Sequence, residues 1–281
     1  MIDNPKTAAT TCRAHLFNPS ARVAPNLSGL AETLLFTLHQ RVGDYDAIDF
    51  PDPVGRWIYD AIDYDFAGKF GPARDLLRTR SKVFDAAIRS FVGRYPSATV
   101  VELACGLETS FQRCDNGSVR WLCVDLPETI ALRERFLEPT PRCQHLAADA
   151  FSLQWLSLVP ETEPLFISVQ GLLMYVSEDT VRQFLKGIFK DRRNISLLFD
   201  AVPPNLIKGS KGIRISEHYR LPAWLWGIDT KAIAKTMTVW LEGEACVEVL
   251  NHRKFLPCHK RPWFFNRSNM SIVRVASTDD D

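Results

Sequence analysis

Residues 98–125 constrain the fold more than any other stretch of the chain. Ala98 to Ala104 is an apolar run with the length and β-branched content of a buried parallel strand. Gly106 follows where the backbone must turn tightly beneath a ligand, and a side chain there would block the approach. A second run, Val119 to Val124, ends at Asp125, about 20 residues beyond the glycine. A carboxylate at that strand end accepts hydrogen bonds from the hydroxyls of a ribose and repels a 2′-phosphate. Strand, glycine turn, helix and acid-ended strand together form a nucleotide-binding layout.

The glycine pattern narrows the nucleotide. Ala104-Cys105-Gly106 lacks the first and third glycines that let a pyrophosphate lie against the backbone and a helix N-terminus. A dinucleotide therefore fits poorly, and an NAD-dependent oxidoreductase ranks last among the readings. S-adenosylmethionine carries a ribose and an adenine but no phosphate, so one glycine and one acidic strand end suffice for it. An ordinary buried β-turn-α unit without a ligand is the competing reading at this point.

Charge and cysteine content bound the partners. With 34 basic and 33 acidic residues the net charge is +1, so no global field draws the chain to nucleic acid or an anionic membrane, and a small molecule is the expected partner. The seven cysteines, Cys12, Cys105, Cys114, Cys123, Cys143, Cys246 and Cys258, are odd in number, form no CxxC pair and sit mostly in apolar runs, as small buried hydrophobes do. No metal site is expected. Met1 to Thr11 is polar and no apolar stretch has the length of a signal peptide or membrane span, which points to the cytoplasm. At 281 residues and 46% hydrophobic, the chain can bury a large core.

The periodicity predicts helices over 28–42, 53–62, 76–95, 127–137, 178–190 and 229–236, with Ser28 as the N-cap of the first and Gly43 as its stop. Strands are predicted over 98–104, 119–125, 143–147, 164–170, 195–201, 237–241, 245–250 and 270–276, the last two suited to antiparallel pairing at an edge. Such alternation implies an α/β fold, a mostly parallel sheet covered on both faces, with ligands outside the carboxyl ends of the strands. Gly106, Asp125, Asp149 and Gln170 then share one rim. Asp149 suits the adenine amine and Phe151 the ring, although a solvated N-cap explains Asp149 equally well.

Three ordered blocks, VVELACGLETSFQR, VDLPETIALRERF and VQGLLMYVSEDTVRQFL, resemble the leucine carboxyl methyltransferase family, over about residues 28–241. Within it, GLAETLL at 29–35, IDYDFAGKFG at 62–71, CDNGSVRW at 114–121 and WGID at 226–229 are most similar to the tetracenomycin and polyketide-type O-methyltransferases. The resemblance implies a class I, Rossmann-like methyltransferase with a seven-stranded sheet and S-adenosylmethionine as cofactor. Residues 1–95 would form an N-terminal helical cap with the helix that binds the cofactor carboxylate. Residues 96–281 would form the cofactor domain, with 202–228 inserted as a substrate lid.

The implied cofactor residues are Ala104, Gly106, Asp125 with Leu126, Asp149 with Ala150 and Phe151, and Gln170. The family's arginine for the methionine carboxylate falls in LLRTRSKVFD, with Arg80 ahead of Arg78. Three positions depart from the family pattern: Ala104-Cys105-Gly106 replaces GxG, Glu108 replaces Asp, and Gln170 replaces a Glu expected to pair with the cofactor ammonium. A neutral amide accepts a hydrogen bond but supplies no charge.

Methyl transfer is an in-line displacement, so the protein mainly aligns the two partners and excludes water. A carboxylic acid is already ionised at neutral pH, whereas a phenol is not. The six histidines, His15, His39, His145, His218, His252 and His259, lie outside the core motif blocks. That pattern favours a carboxylate acceptor and a methyl ester product, with Tyr175 positioning the acceptor or serving as core. In the insert, Lys208, Lys211, Arg214 and Arg220 suit an acid, Trp224 and Trp226 suit its ring, and Gly209 and Gly212 suit lid movement; a solvated loop with core tryptophans is the equal alternative. The expected function is esterification of a small aromatic or polyketide-derived acid in secondary metabolism. A protein C-terminal carboxyl methyltransferase and a noncatalytic cofactor-binding module are the alternatives.

Overall fold

The computed structural model of the chain describes residues 22–43, 50–190, 192–207, 212–250 and 270–278. The N-terminal part holds helices α1 (Thr33–Val42), α2 (Pro53–Ala61), α3 (Phe66–Phe70) and α4 (Asp75–Arg94). The alternating part then runs β1 (Thr99–Leu103), α5 (Ser110–Cys114), β2 (Arg120–Asp125), α6 (Pro127–Arg133), β3 (Cys143–Ala147), β4 (Leu165–Val169), α7 (Glu178–Phe189) and β5 (Ile195–Ala201). It closes with α8 (Ile233–Trp240), β6 (Ala245–Leu250) and β7 (Ser271–Ser277). The strands form one seven-stranded sheet in the order β3-β2-β1-β4-β5-β7-β6.

Pairing is parallel from β3 through β5, while β7 joins β5 and β6 antiparallel at the far edge, as the alternation and the final strand pair predict. β1, β4 and β5 are buried at every position, which is why they read as continuous apolar runs rather than alternating ones. Strand order reverses between β1 and β4, so the carboxyl ends of β1, β2 and β4 open onto the crevice where such sheets bind ligands.

Two layers cover the sheet. On one face α7, α8 and Trp226 pack over β4, β5 and β7. On the other, Val83, Phe84, Ile88, Phe91 and Val92 of α4 meet Val100, Trp121, Cys123, Phe166 and Leu198. A third cluster ties α1, α2 and α3 to Leu107, Leu132 and Phe136 and to Tyr219 and Leu221 of the insert. The insert therefore joins the cap to the rim. Among the described residues no helix is long and apolar enough to cross a membrane.

Three boundaries differ from the sequence expectation. Residues 237–241 are not a strand: Ile233, Met237 and Leu241 recur every four residues and are all buried, so the segment is helical and α8 replaces both the predicted helix 229–236 and that strand. α1 begins at Thr33 with Glu32 at its N-cap, and Ser28 lies in the irregular stretch ahead of the turn 29–32. α6 stops at Arg133, where the chain tightens into turns before β3.

Candidate active site

A cavity of about 330 Å³ opens at the carboxyl ends of β1, β2 and β4 and is roofed by Leu30, Thr33, Leu34 and Thr37 at the start of α1. Ala104, Gly106, Asp125, Leu126, Asp149, Ala150, Phe151, Gln170, Arg80 and Tyr175 all line it. Residues separated by up to 95 positions are thus brought to one wall, from which an adenosine and an amino acid can be gripped at the same time.

The turn after β1 is shaped for close approach. Ala104 and Gly106 both have positive φ, +51° and +49°. The left-handed conformation explains why glycine is favoured at the first position, and Ala104 carries a modest steric cost for holding it. A Cβ on Gly106 would come within 3.2 Å of Leu34 Cβ, so the missing side chain lets the roof helix close down on the turn. Asp125 fixes this geometry. Its Oδ2 accepts from the Gly106 amide at 2.8 Å and its Oδ1 from the Leu126 amide at 2.8 Å. Burial pushes the Asp125 carboxyl up, opposed by these two amide bonds. Each oxygen keeps a lone pair for a ribose hydroxyl. Leu126, 40% exposed at the head of α6, supplies an apolar wall beside it.

Asp149 caps the next turn, its Oδ1 accepting from Phe151 N at 2.9 Å, and it also lines the cavity. Trp155 Nε1 donates to Ala150 O at 2.8 Å and anchors that turn, while Phe151 packs edge-to-face on Phe184 with centroids 5.2 Å apart.

At the other end of the cavity, Arg80 is 6% exposed and its Nη1 contacts Asp200 Oδ2 at 3.0 Å. The second Asp200 oxygen accepts from the Gly171 amide at 2.6 Å, so β5 fixes both the cation and the turn after β4. Arg78 is turned away, its Nε donating to Arg41 O at 3.3 Å, and it does not line the cavity. Gln170 Oε1 is buried with no hydrogen-bond partner, and Arg80 Nε is likewise unpartnered. An unpartnered acceptor beside a buried guanidinium matches the ammonium and carboxylate of a methionine moiety, since burying either group unpaired is costly. These residues fit S-adenosylmethionine.

Tyr175 lies in the turn after Gly171, and burial pushes its hydroxyl up, with Asp200 adding to the rise and Arg80 and Trp224 opposing it. It is a neutral hydrogen-bond donor at pH 7. Among the described residues no histidine lines the cavity. His39 is held by Gly71 O at 2.7 Å and Tyr59 at 3.0 Å, and His145 by Arg133 and Glu134.

The insert behaves differently from a stacking lid. Trp226 is 3% exposed among Phe199 and Trp240, so it packs the sheet core and the proposed stacking role is corrected. Arg214 is exposed and its Nε donates to Ser216 O at 3.1 Å, while Arg220 Nη1 donates to Gly212 O at 2.8 Å; neither lines the cavity. Trp224 packs against the cap cluster. A Cβ on Gly212 would come 1.9 Å from Leu221 O, so the glycine permits close backbone contact within the insert. Lys208, Gly209 and Lys211 lie outside the described residues, as do Cys12, Cys258, His15, His252 and His259.

Several residues of the site were not singled out by sequence. Arg41 lines the cavity and bridges Asp52 at 2.9 Å and Glu108 at 3.0 Å, and Arg113 joins the same carboxylates and Asp85. Although burial opposes it, these two guanidiniums hold the Glu108 carboxyl down to about 2, so the longer acid in place of the family Asp is a structural anchor between cap and turn. Asp200, near the end of a strand predicted correctly, pairs with Arg80 behind the cavity wall, and nothing local in the sequence marks that contact.

Comparison with known proteins agrees with this geometry. The leucine carboxyl methyltransferase family model matches residues 60–189. The tetracenomycin polyketide synthesis O-methyltransferase of Streptomyces glaucescens is 30% identical over 193 residues, covering 66% of this chain and 70% of that protein. An S-adenosyl-L-methionine-dependent methyltransferase of Gibberella zeae is 31% identical over 202 residues, covering 62% and 67%. A DUF574 family protein of Streptomyces avermitilis shares the fold with a TM-score of 0.55 at 15% identity, over 86% of this chain and 96% of that one. With the rim carboxylates, the Arg80 anchor and this similarity in place, the chain belongs to the leucine carboxyl methyltransferase family.

Proposed function

We propose that this S-adenosylmethionine-dependent methyltransferase esterifies a carboxylate of a small aromatic or polyketide-derived acid, as a step of secondary metabolism in the cytoplasm. The cofactor supplies an electrophilic methyl group on a sulfonium. Asp125 and Leu126 hold the ribose end, Asp149 and Phe151 the adenine, and Arg80 and Gln170 the amino acid end. The start of α1 covers part of the space in which cofactor and acceptor would meet.

The observation that carries the carboxylate assignment is Tyr175, held as a neutral hydroxyl on the cavity wall. A hydrogen-bond donor orients one oxygen of a carboxylate and leaves the other to attack. No proton has to be removed, because the acid arrives ionised. The polyketide character of the acceptor is supported by the similarity to the tetracenomycin polyketide synthesis O-methyltransferase of Streptomyces glaucescens. The balanced charge and the modest cavity favour a small molecule over nucleic acid or a protein tail.

Calorimetric titration with S-adenosylhomocysteine, followed by methyl transfer to matched panels of aromatic acids and phenols, tests this reading. Methyl esters without phenyl ethers are expected. Methylation of phenols alone would overturn the carboxylate assignment, and cofactor binding without turnover on any acceptor would favour the noncatalytic module.

A further inference from the structure

Behind the glycine turn lies a charge that the cofactor site does not use. Arg133, at the end of α6, is completely buried. Its Nη1 donates to the carbonyls of Gly106 at 3.0 Å and Glu108 at 2.8 Å, so it holds both ends of the turn. Its Nη2 donates to Cys123 Sγ at 3.3 Å and its Nε to His145 Nε2 at 3.3 Å. Among the described residues no carboxylate forms an ion pair with it. A buried guanidinium without a counterion is strongly unfavourable, so a negative charge must sit close by.

Two groups are within reach. Glu102 on β1 is buried, with Oε2 accepting from Trp121 Nε1 at 3.0 Å and lying 3.9 Å from Cys123 Sγ. Burial pushes its carboxyl up to about 8, which leaves it protonated at neutral pH. The neighbouring Cys105 and Cys143 thiols, with the Arg133 charge and His145, hold the Cys123 thiol below the usual thiol range against the effect of burial. Cys105 and Cys143 are pushed the other way. The remaining charged neighbours are Asp125 on the same strand, which feels the Arg133 charge but turns its oxygens to the Gly106 and Leu126 amides at the cavity, Glu108, whose carboxylate is paired with Arg41 and Arg113, and Glu134, which meets His145 Nδ1 at 3.3 Å.

We propose that Cys123 is carried as a thiolate, that it is the counterion of Arg133, and that this buried ion pair positions the Gly106 turn for the cofactor. Cys123, Cys143 and His145 place their donor atoms within 4.8 Å of one another, a spacing that a soft cation can span. Arg133 donates into the very lone pairs that such a cation would need on Cys123 and His145. The guanidinium stands where the cation would. The shared proton of the Glu102 and Cys123 pair then resides on oxygen and the charge on sulfur, the arrangement a nearby guanidinium rewards when it hydrogen-bonds the sulfur and not the carboxyl. Arg133 and Cys123 are positioning residues, since neither carries the reacting atoms.

The inference rests on the cofactor reading above, and its first measurement is independent of it. The far-ultraviolet thiolate band of the unmodified protein, recorded against Cys123→Ser, Cys105→Ser and Cys143→Ser, is expected at neutral pH and is lost only in Cys123→Ser. In the wild type, acidification should remove the band and weaken S-adenosylhomocysteine binding about tenfold over the same pH range, and Cys123→Ser should show the weakened affinity without that pH dependence. No band at neutral pH, a band that survives Cys123→Ser, or unchanged affinity in that variant would each overturn the proposal. Should Cys123→Ser fail to fold, coincidence of the spectral and binding midpoints in the wild type decides it. A band without any cofactor binding would count against the cofactor reading and leave the ion pair standing.

Discussion

Arg80 and Asp200, 120 residues apart in sequence, meet at 3.0 Å where the long helix α4 passes the carboxyl end of β5, and both are almost wholly buried. The pair fixes one end of the cavity, the end proposed above for the cofactor's amino acid, because the second oxygen of Asp200 holds the amide of Gly171, which lines the cavity together with Gln170 and Tyr175. A guanidinium whose one face is spent on Asp200 retains further donors for a carboxylate.

Arg80→Ala should therefore cost both stability and affinity. It leaves Asp200 charged and unpaired, a loss of about 3–5 kcal/mol in the folded state. Arg80→Lys keeps the charge and most of the stability but loses the fork. Calorimetry with S-adenosylhomocysteine and its decarboxylated analogue separates the effects: discrimination between the two ligands should shrink in Arg80→Lys. Undiminished discrimination would assign the carboxylate to another donor.

Gln170 Oε1 is buried without a partner, and the ammonium of the cofactor is the donor expected to satisfy it. Gln170→Leu should weaken S-adenosylhomocysteine binding by about 1–3 kcal/mol while leaving the unfolding midpoint equal or higher, because the orphaned oxygen disappears. Gln170→Glu restores a charge and should tighten binding. A deaminated cofactor analogue should bind wild type and Gln170→Leu alike; a persisting difference would show that the amide serves the acceptor instead.

The cofactor rim was legible in the sequence because each of its residues ends a strand, and strand ends can be found from an apolar run and the polar residue that closes it. Gly106, Asp125, Asp149 and Gln170 were all placed on one cavity this way. Contacts made between distant elements left no local mark. Asp200 opposite Arg80, Glu108 between Arg41 and Arg113, and Arg133 beneath the glycine turn are charged residues inside apolar or helical patterns, and only the fold shows what they contact. Trp226 was misjudged for the converse reason. Cations flank it in sequence, but its side chain turns inward to Phe199. Met237 was misplaced because a short apolar run with β-branched residues suits strand and helix alike, and burial at four-residue spacing settles it as helix.

Tyr175→Phe distinguishes a donor from a base. Burial keeps the phenol protonated well beyond neutral pH, so the hydroxyl can orient a carboxylate but has no proton-accepting form at pH 7. Steady-state kinetics should show KM for the acid raised about fivefold to tenfold, with the pH profile of kcat unmoved. Loss of a limb of that profile would mean that Tyr175 removes a proton, and the acceptor would then be a hydroxyl.

Glu102 gives the stability of the protein a definite pH dependence. Its native value of about 8 lies above the 4.5 of an ordinary glutamate, because burial disfavours the charged form. The folded state therefore binds this proton more tightly than the unfolded state does. The resulting stabilisation is complete below about pH 4.5 and is lost as pH rises towards 8, by an amount on the order of a few kcal/mol. Cys123 works in the opposite sense, since a thiol held below its usual range stabilises the fold increasingly as pH rises. Comparing Glu102→Gln with the wild type at each pH reads the glutamate together with its coupling to Cys123. Urea unfolding from about pH 5 to pH 8 should show the variant gaining steadily on the wild type. A constant difference across that range would mean that Glu102 is already ionised at its lower end, and that it, not Cys123, faces Arg133 as the charge.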